Sequence, residues 1–157
     1  MPIEIERKFL VNSEDWRGLA QGVLYRQGYL CTEANRTVRV RVAGDRAFLT
    51  IKGKTQGHSR PEYEYTIPLP EAAAMLDTLC YRPLIEKTRY RIPIGDKVWE
   101  VDEFHGENQG LILAEVELHS EADAIDLPPW IGKEVSQDAR YFNSYLARYP
   151  YASWSEN

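Results

Sequence analysis

Apolar and polar positions alternate along most of the first 120 residues. In PIEIERKFLV, residues 2–11, Ile3, Ile5 and Phe9 share one parity, and Glu4, Glu6 and Lys8 share the other. Successive strand side chains point to opposite faces, so a step of two predicts a strand with one apolar and one charged face. The same period returns in VLYRQGYLCTE (23–33), TVRVRVAG (37–44), AFLTIKGK (47–54), RPEYEYTIP (60–68), LIEKTRYRIPIG (84–95), KVWEVDEF (97–104) and GLILAEVELHS (110–120). Gly28 marks an irregularity in the second segment. Gly44-Asp45 and Gly95-Asp96 predict hairpin turns, HGENQG separates the last two strands, and the polar stretch 52–61 predicts a loop.

The period changes in PEAAAMLDTLC (70–80), which predicts a helix. SQDARYFNSYLARY (136–149) predicts a C-terminal helix capped by Ser136, with Tyr141, Tyr145 and Leu146 on one side. Ser13-Glu14-Asp15-Trp16 predicts a short helix start, and Trp154 an anchor for the loose tail YASWSEN. Eight strands and two or three helices give a mainly β (α+β) chain with antiparallel neighbours.

Charge changes this picture. The pairs EIE, RVR, EYE, RYR, EVD and EVE are all of like sign at a spacing of two. A solvated face explains any one strand but gives no reason for sorting signs. Like charges ~7 Å apart repel by roughly 0.6 kcal/mol in water and by more at lower dielectric. Opposite strands or bound ions must compensate. Acidic groups suit Mg²⁺ or Mn²⁺, and Arg and Lys suit phosphate. In a closed barrel one face of every strand points inward. The pattern therefore predicts a hydrated, charged tunnel whose outer apolar face is covered by helices or by a second subunit, as in a homodimer.

At 157 residues the chain fits one domain, 1–157, with tunnel strands over about 2–120. A net charge of −5 argues against nonspecific nucleic-acid binding. No apolar run suits a membrane span, no secretion signal is visible, and two cysteines without CxxC spacing suit reduced thiols; the expectation is a cytoplasmic protein. No Ser/His/Asp or Cys/His arrangement stands out. His58, His105 and His119 read as surface residues, and Trp99 and Trp130 as packing residues.

EIERK, followed in order by RVR, a strand Lys, ExE, KxR, ExD and ExE, resembles the CYTH superfamily of triphosphate tunnel metalloenzymes. ExExK alone is a slight signal, but the ordered series spans residues 2 to about 148 and resembles the short single-domain bacterial members. The resemblance implies a closed eight-stranded antiparallel tunnel with a charged interior and a few flanking helices. It implies phosphate contacts from Lys8, Arg39, Arg41, Lys52, Lys87 and Arg89, with Arg91 nearer the mouth and Lys133 near the site. It implies metal contacts from Glu4, Glu6, Glu115 and Glu117, with Glu62, Glu64, Glu100 and Asp102 as further ligands, catalytic groups or supports. Tyr25 and Tyr29 reach toward the tunnel chiefly as packing residues, and Tyr29 is also placed to touch substrate.

The implied chemistry is Mg²⁺- or Mn²⁺-dependent hydrolysis of a terminal phosphoanhydride. Inorganic tripolyphosphate is the first expected substrate, because no aromatic or amide set dedicated to an organic group is visible. Thiamine or nucleoside triphosphatase, class IV adenylyl cyclase and a non-catalytic polyphosphate- or nucleotide-binding module are the alternatives. The complete acidic set favours an enzyme over a binding module.

Overall fold

The computed structural model describes residues 2–154. Its strands are β1 (Ile3–Val11), β2 (Gly22–Glu33), β3 (Arg36–Ala43), β4 (Arg46–Gly53), β5 (Ser59–Ile67), β6 (Ile85–Ile94), β7 (Lys97–Phe104), β8 (Ile112–Glu117) and β9 (Ile131–Glu134). The order β5-β4-β3-β2-β6-β7-β8-β1-β9, with a further β5–β1 pairing, closes the first eight strands into an antiparallel ring. The two glycine-aspartate turns form as expected, with Gly44 and Gly95 at φ 62° and 63°, a left-handed conformation that glycine adopts without steric cost.

β1 is the seam of the ring. One edge pairs with β8 from Glu6↔Glu117 to Leu10↔Leu113. The other edge pairs with β5 over Ile3–Ile5, then with β9 at Phe9↔Glu134 and Val11↔Ile131. Strand β9 thus covers the part of the seam that β5 does not reach.

Three apolar clusters surround this ring. The outer faces of β1, β6, β7 and β8 pack Phe9, Ile92, Trp99, Val101, Ala114 and Val116 against Trp16, Trp130 and Ile131. Trp99 stands edge-on to Trp130 and tilted to Phe9, so both tryptophans are packing residues. The outer faces of β3 and β4 are covered by α1 (Leu69–Thr78), whose Ala72 and Leu76 bury against Val40 and Ala47. The chain itself supplies this cover. The third cluster lies where the inner parity turns apolar: Tyr29, Ile85, Phe104 and Leu113 meet Val135, Leu146 and Ala147. The C-terminal segment thereby closes one end of the tunnel.

Two helices expected from sequence are not formed as such. Over 136–149 there is a 3₁₀ turn at Ala139–Tyr141 and a one-turn α2 at Asn143–Leu146. Ser136 Oγ does not cap a helix; it accepts from the Lys8 backbone N–H and donates to Glu134. Phe142, at ψ 137°, breaks the run. Contacts with the tunnel thus override helical propensity. Residues 13–20 form turns, because Trp16 is fully buried and its Nε1 donates to Ser13 O. In β2 the irregularity falls between Tyr29 and Cys31 rather than at Gly28. Trp154 packs on Tyr141, Tyr145 and Tyr151, as an anchor should; the remaining tail residues 155–157 lie outside the described residues.

Gly28 serves close packing instead. A Cβ there would stand 2.7 Å from Cys80 Cβ and 2.8 Å from Leu84 Cδ2. Gly28→Ala is expected to cost about 1–3 kcal/mol through overpacking. Urea unfolding measures this, and a midpoint equal to that of the parent would contradict the packing.

Candidate active site

The charged parity of the strands faces a cavity of about 220 Å³ inside the ring. It brings together Glu4, Glu6, Lys8, Tyr29, Arg39, Arg41, Lys52, Glu62, Glu64, Lys87, Arg89, Glu100, Glu115 and Glu117. Asp102 lies behind this lining, at 1% side-chain exposure. Arg91 and Lys133 do not reach the cavity. The Arg91 side chain is 63% exposed and bends back to Glu100 at 3.2 Å, because its strand is leaving the ring there. Lys133 is exposed on β9 beside a separate depression.

Cross-strand pairing explains the like-sign runs. Lys8 sits opposite Glu115, Lys52 opposite Glu62, Arg89 opposite Asp102 and Arg91 opposite Glu100. In these four pairs opposite signs meet across neighbouring strands, where directly opposed side chains interact most strongly, whereas Glu6 meets Glu117 and Glu100 meets Glu115. Lys52 Nζ lies 2.8 Å from Glu4 and 3.4 Å from Glu62, and Lys8 Nζ 3.5 Å from Glu115. Burial works against the Glu4 charge, but Lys52 outweighs it and keeps Glu4 below its usual range. Burial is likewise outweighed at Glu115, which Lys8, Arg89 and Lys87 hold well below its ordinary value.

The sorting leaves two poles without such neutralisation. At one, Arg39 sits opposite Thr50 and Tyr29, and Arg41 opposite Phe48 and Gln27. Arg39 reaches only Thr50 at 3.2 Å and, more distantly, Glu64 at 3.8 Å. Its Nε is buried with no hydrogen-bond partner among the described residues. Arg41 Nε donates to Gln27, and burial with repulsion from Arg39 and Arg89 pulls its guanidinium down to about 9. An anion placed here would balance both guanidinium groups.

At the other pole Glu6 faces Glu117 directly across β1 and β8. Neither makes an ion pair or side-chain hydrogen bond among the described residues. Burial and then Glu115 and Glu4 raise Glu6 well above its ordinary value; burial, Glu4 and Glu100 raise Glu117. A cation placed here would balance both carboxylates. Among the described residues no three His, Cys, Asp or Glu side chains are gathered so as to hold a metal by themselves. The arrangement suits a hard cation that keeps waters and shares substrate oxygens, as Mg²⁺ does.

Between the poles, Asp102 bridges two buried cations. Its oxygens stand 2.7 and 2.8 Å from Arg89 and 2.8 Å from Lys87. Burial opposes its charge, but Arg89 and Lys87 hold it down at about 2. Lys87 is itself pulled down to about 7, first by burial and then by Arg89 and Arg41 despite Asp102.

Several lining residues were not singled out from the sequence. Arg60 was legible in principle: Arg60, Glu62 and Glu64 share one parity on β5. Thr37 likewise shares parity with Arg39 and Arg41. Asn143, whose Oδ1 accepts from Lys87 and Gln27, had no periodic signal. Nor had Ser136 and Phe142, which also lie in the irregular C-terminal segment. His58, expected at the surface, lines the mouth, with Nδ1 3.2 Å from Glu121.

Removing Asp102 would strand two buried cations, so Asp102→Ala is expected to lose about 3–5 kcal/mol of stability. Denaturant titration checks this; a loss below about 1 kcal/mol would mean that the carboxylate does not carry them.

The CYTH domain matches residues 2–148. The chain is 50% identical over 153 residues to a protein of Acetivibrio thermocellus named inorganic triphosphatase, covering 98% of each. It is 42% identical over 149 residues to an inorganic triphosphatase of Nitrosomonas europaea, covering 92% of this chain and 96% of that one. The crystal structure of an inorganic triphosphatase superposes with a TM-score of 0.63 at 38% identity, covering 94% of this chain and 95% of the other. With its ordered charge series folded into one ring and the match running nearly end to end, the chain belongs to the CYTH family.

Proposed function

We propose that this protein is an inorganic triphosphatase that hydrolyses tripolyphosphate to diphosphate and phosphate in a divalent-metal-dependent reaction inside the tunnel. The observation that carries the reading is the pair of incompletely neutralised poles: the buried Arg39–Arg41 wall, with Arg39 Nε lacking a hydrogen-bond partner among the described residues, and the opposed Glu6–Glu117 carboxyls. A linear polyanion accompanied by a divalent cation answers both. The relatives named inorganic triphosphatase, aligned over nearly the whole chain, support the same substrate.

Arg39 and Arg41 hold phosphate oxygens most directly, because among the described residues Arg41 has no carboxylate partner and Arg39 has only the distant Glu64 at 3.8 Å. Lys8, Lys52, Lys87 and Arg89 flank the chain of phosphates, their own charges partly offset by Glu115, Glu4 and Asp102. Glu62, Glu64 and Glu100 steady Lys52, Arg39 and Arg89 respectively. Tyr29 lines the cavity and lies within the apolar cluster at its closed end, a role of shape before contact.

Glu6 and Glu117 would hold the metal, Mg²⁺ or Mn²⁺, with Glu4 and Glu115 beside them. Bound there, a divalent cation supplies Lewis acidity and neutralises charge on the phosphoryl oxygens. The surrounding cations stabilise the diphosphate leaving group as water adds in line to the terminal phosphorus and the P–O–P bridge breaks. Because the basic groups are fixed by cross-strand partners, little reorganisation is needed at the moment of reaction.

Phosphate release from tripolyphosphate, ATP and thiamine triphosphate, with metal or with EDTA, tests the reading, with cyclic AMP followed from the ATP sample. Tripolyphosphate is expected to lead, and only with metal present. Preference for an organic triphosphate, or cyclic AMP as product, would overturn the substrate. Glu117→Gln is expected to lower turnover about a hundredfold or more with little loss of tripolyphosphate binding, and Arg39→Ala to weaken binding about tenfold or more. Parent-like behaviour of both would refute the site.

The metal should also respond to pH in a defined direction. Glu6 and Glu117 keep their protons at higher pH than an ordinary glutamate, so a proton competes with the cation there. Metal affinity measured by calorimetry is expected to fall on acidification well before the ordinary glutamate value of about 4.3 is reached. Unchanged affinity down to that point would remove these two carboxyls from the metal site.

A further inference from the structure

A chain of neutral amides crosses the closed end of the tunnel. Arg41 Nε donates to Gln27 Oε1 at 3.0 Å, and Gln27 Nε2 donates to Asn143 Oδ1 at 2.9 Å. From the other side Lys87 Nζ donates to the same Asn143 oxygen at 3.0 Å. Guanidinium and ammonium groups carry donors only, so the polarity of this chain is fixed at both ends. Arg41 requires the Gln27 oxygen on its side, which turns the Gln27 NH₂ toward Asn143. Gln27 and Lys87 together then require the Asn143 oxygen, and the Asn143 nitrogen is turned away from both.

That nitrogen, Nδ2, carries two N–H donors, and neither has a partner among the described residues. It is not sealed within the protein, since the buried side-chain nitrogen without a partner is Arg39 Nε. Asn143 is half-buried and lines the tunnel cavity, so the unused donors open onto that space. A free N–H there suits an anionic oxygen, which makes a stronger hydrogen bond than a neutral one. A further cation at this position would be costly. Lys87 already stands near Arg89 and Arg41, and burial followed by those two guanidinium groups pulls it down to about 7. A neutral donor adds a bond to the anion without adding to that repulsion.

Resting on the tunnel as a triphosphate site, we infer that Asn143 is a substrate-binding residue whose Nδ2 donates to a phosphate oxygen held beside Lys87 and Arg41. Gln27 and Lys87 set the orientation of its amide, so the donor is aimed before substrate arrives and little ordering is lost on binding. The residue comes from the one-turn α2 of the C-terminal segment and not from a strand. Docking of that segment thus completes the anion site as well as closing the tunnel.

Two measurements separate this role from pure support, in which the Asn143 oxygen holds Lys87 and the amide never touches substrate. In ¹⁵N-labelled protein the Asn143 side-chain NH₂ resonances, identified by their loss in Asn143→Asp, are followed by NMR. Tripolyphosphate is added in EDTA, and diphosphate in Mg²⁺, so that no turnover intervenes. The Asn143 NH₂ protons are expected to move downfield as the anion binds. Unmoved Asn143 resonances, while backbone amides of the tunnel strands shift, overturn the inference. In the second measurement KM for tripolyphosphate is expected to rise about tenfold or more in Asn143→Ala, the loss of a hydrogen bond to a charged group. Asn143→Asp keeps an oxygen for Lys87 and Gln27 but sets a second oxygen where the donors were, so its KM is expected to rise further still. A KM for Asn143→Asp at or below that of Asn143→Ala overturns the inference and leaves Asn143 as a support for Lys87. A parent that does not cleave tripolyphosphate with metal, and in which neither anion moves any tunnel resonance, would instead reject the underlying triphosphatase reading.

Discussion

One carboxylate, Asp102, lets the tunnel keep two ammonium- and guanidinium-bearing side chains in its wall. Lys87 and Asp102 are each at 1% side-chain exposure, and Arg89 is nearly as buried. Isolated charges at such depth would be expelled or neutralised. Shared between two cations, the Asp102 charge keeps both near their working positions but does not fully balance them. Burial first, and repulsion from neighbouring guanidinium groups second, pull Lys87 down to about 7 and Arg41 down to about 9. A fold that is slightly short of negative charge at one wall is prepared for an anion. The same logic with reversed sign holds at Glu6 and Glu117.

The closed ring makes this balance geometric. Because side chains alternate along each strand, register decides which charge meets which. A slip of one residue between β6 and β7 would send Arg89 and Asp102 to different faces. The outer apolar parity fixes that register by burying Val101, Trp99 and Ile92 under Trp16 and Trp130. Core packing outside thus holds the electrostatics inside. β1 has the most demanding position, since it brings Glu6 to Glu117 and Lys8 to Glu115 while sharing its other edge between β5 and β9.

The strands and the inward charges were legible because both rest on a period of two, which a linear sequence displays directly. The series from Glu4 to Glu117 appears in the cavity almost as it stands in the chain. Arg91, expected nearer the mouth, does not line the cavity, because parity gives a face but not the point at which a strand leaves the ring. Lys133, expected near the site, lies on β9, a short strand outside the alternating series, and lines a depression that shares His58 and Ser136 with the cavity. The C-terminal region was misread as a continuous helix because its side chains answer to the tunnel. Ser136 serves the Lys8 backbone and Asn143 serves Lys87 and Gln27, and such long-range partners leave no local period.

Those partners also tie the closed end of the tunnel to its chemistry. Gln27, fully buried, accepts from Arg41 Nε at 3.0 Å and donates to Asn143 Oδ1 at 2.9 Å. The same Asn143 oxygen accepts from Lys87 Nζ at 3.0 Å, while Lys8 Nζ donates to Tyr141 O at 3.0 Å. Neutral amides and a carbonyl therefore orient three of the tunnel's cations without cancelling their charge. A carboxylate in their place would bind those cations more tightly and compete with phosphate. The C-terminal segment can thus close the tunnel and aim Lys8 and Lys87 without adding negative charge to that of Glu115 and Asp102.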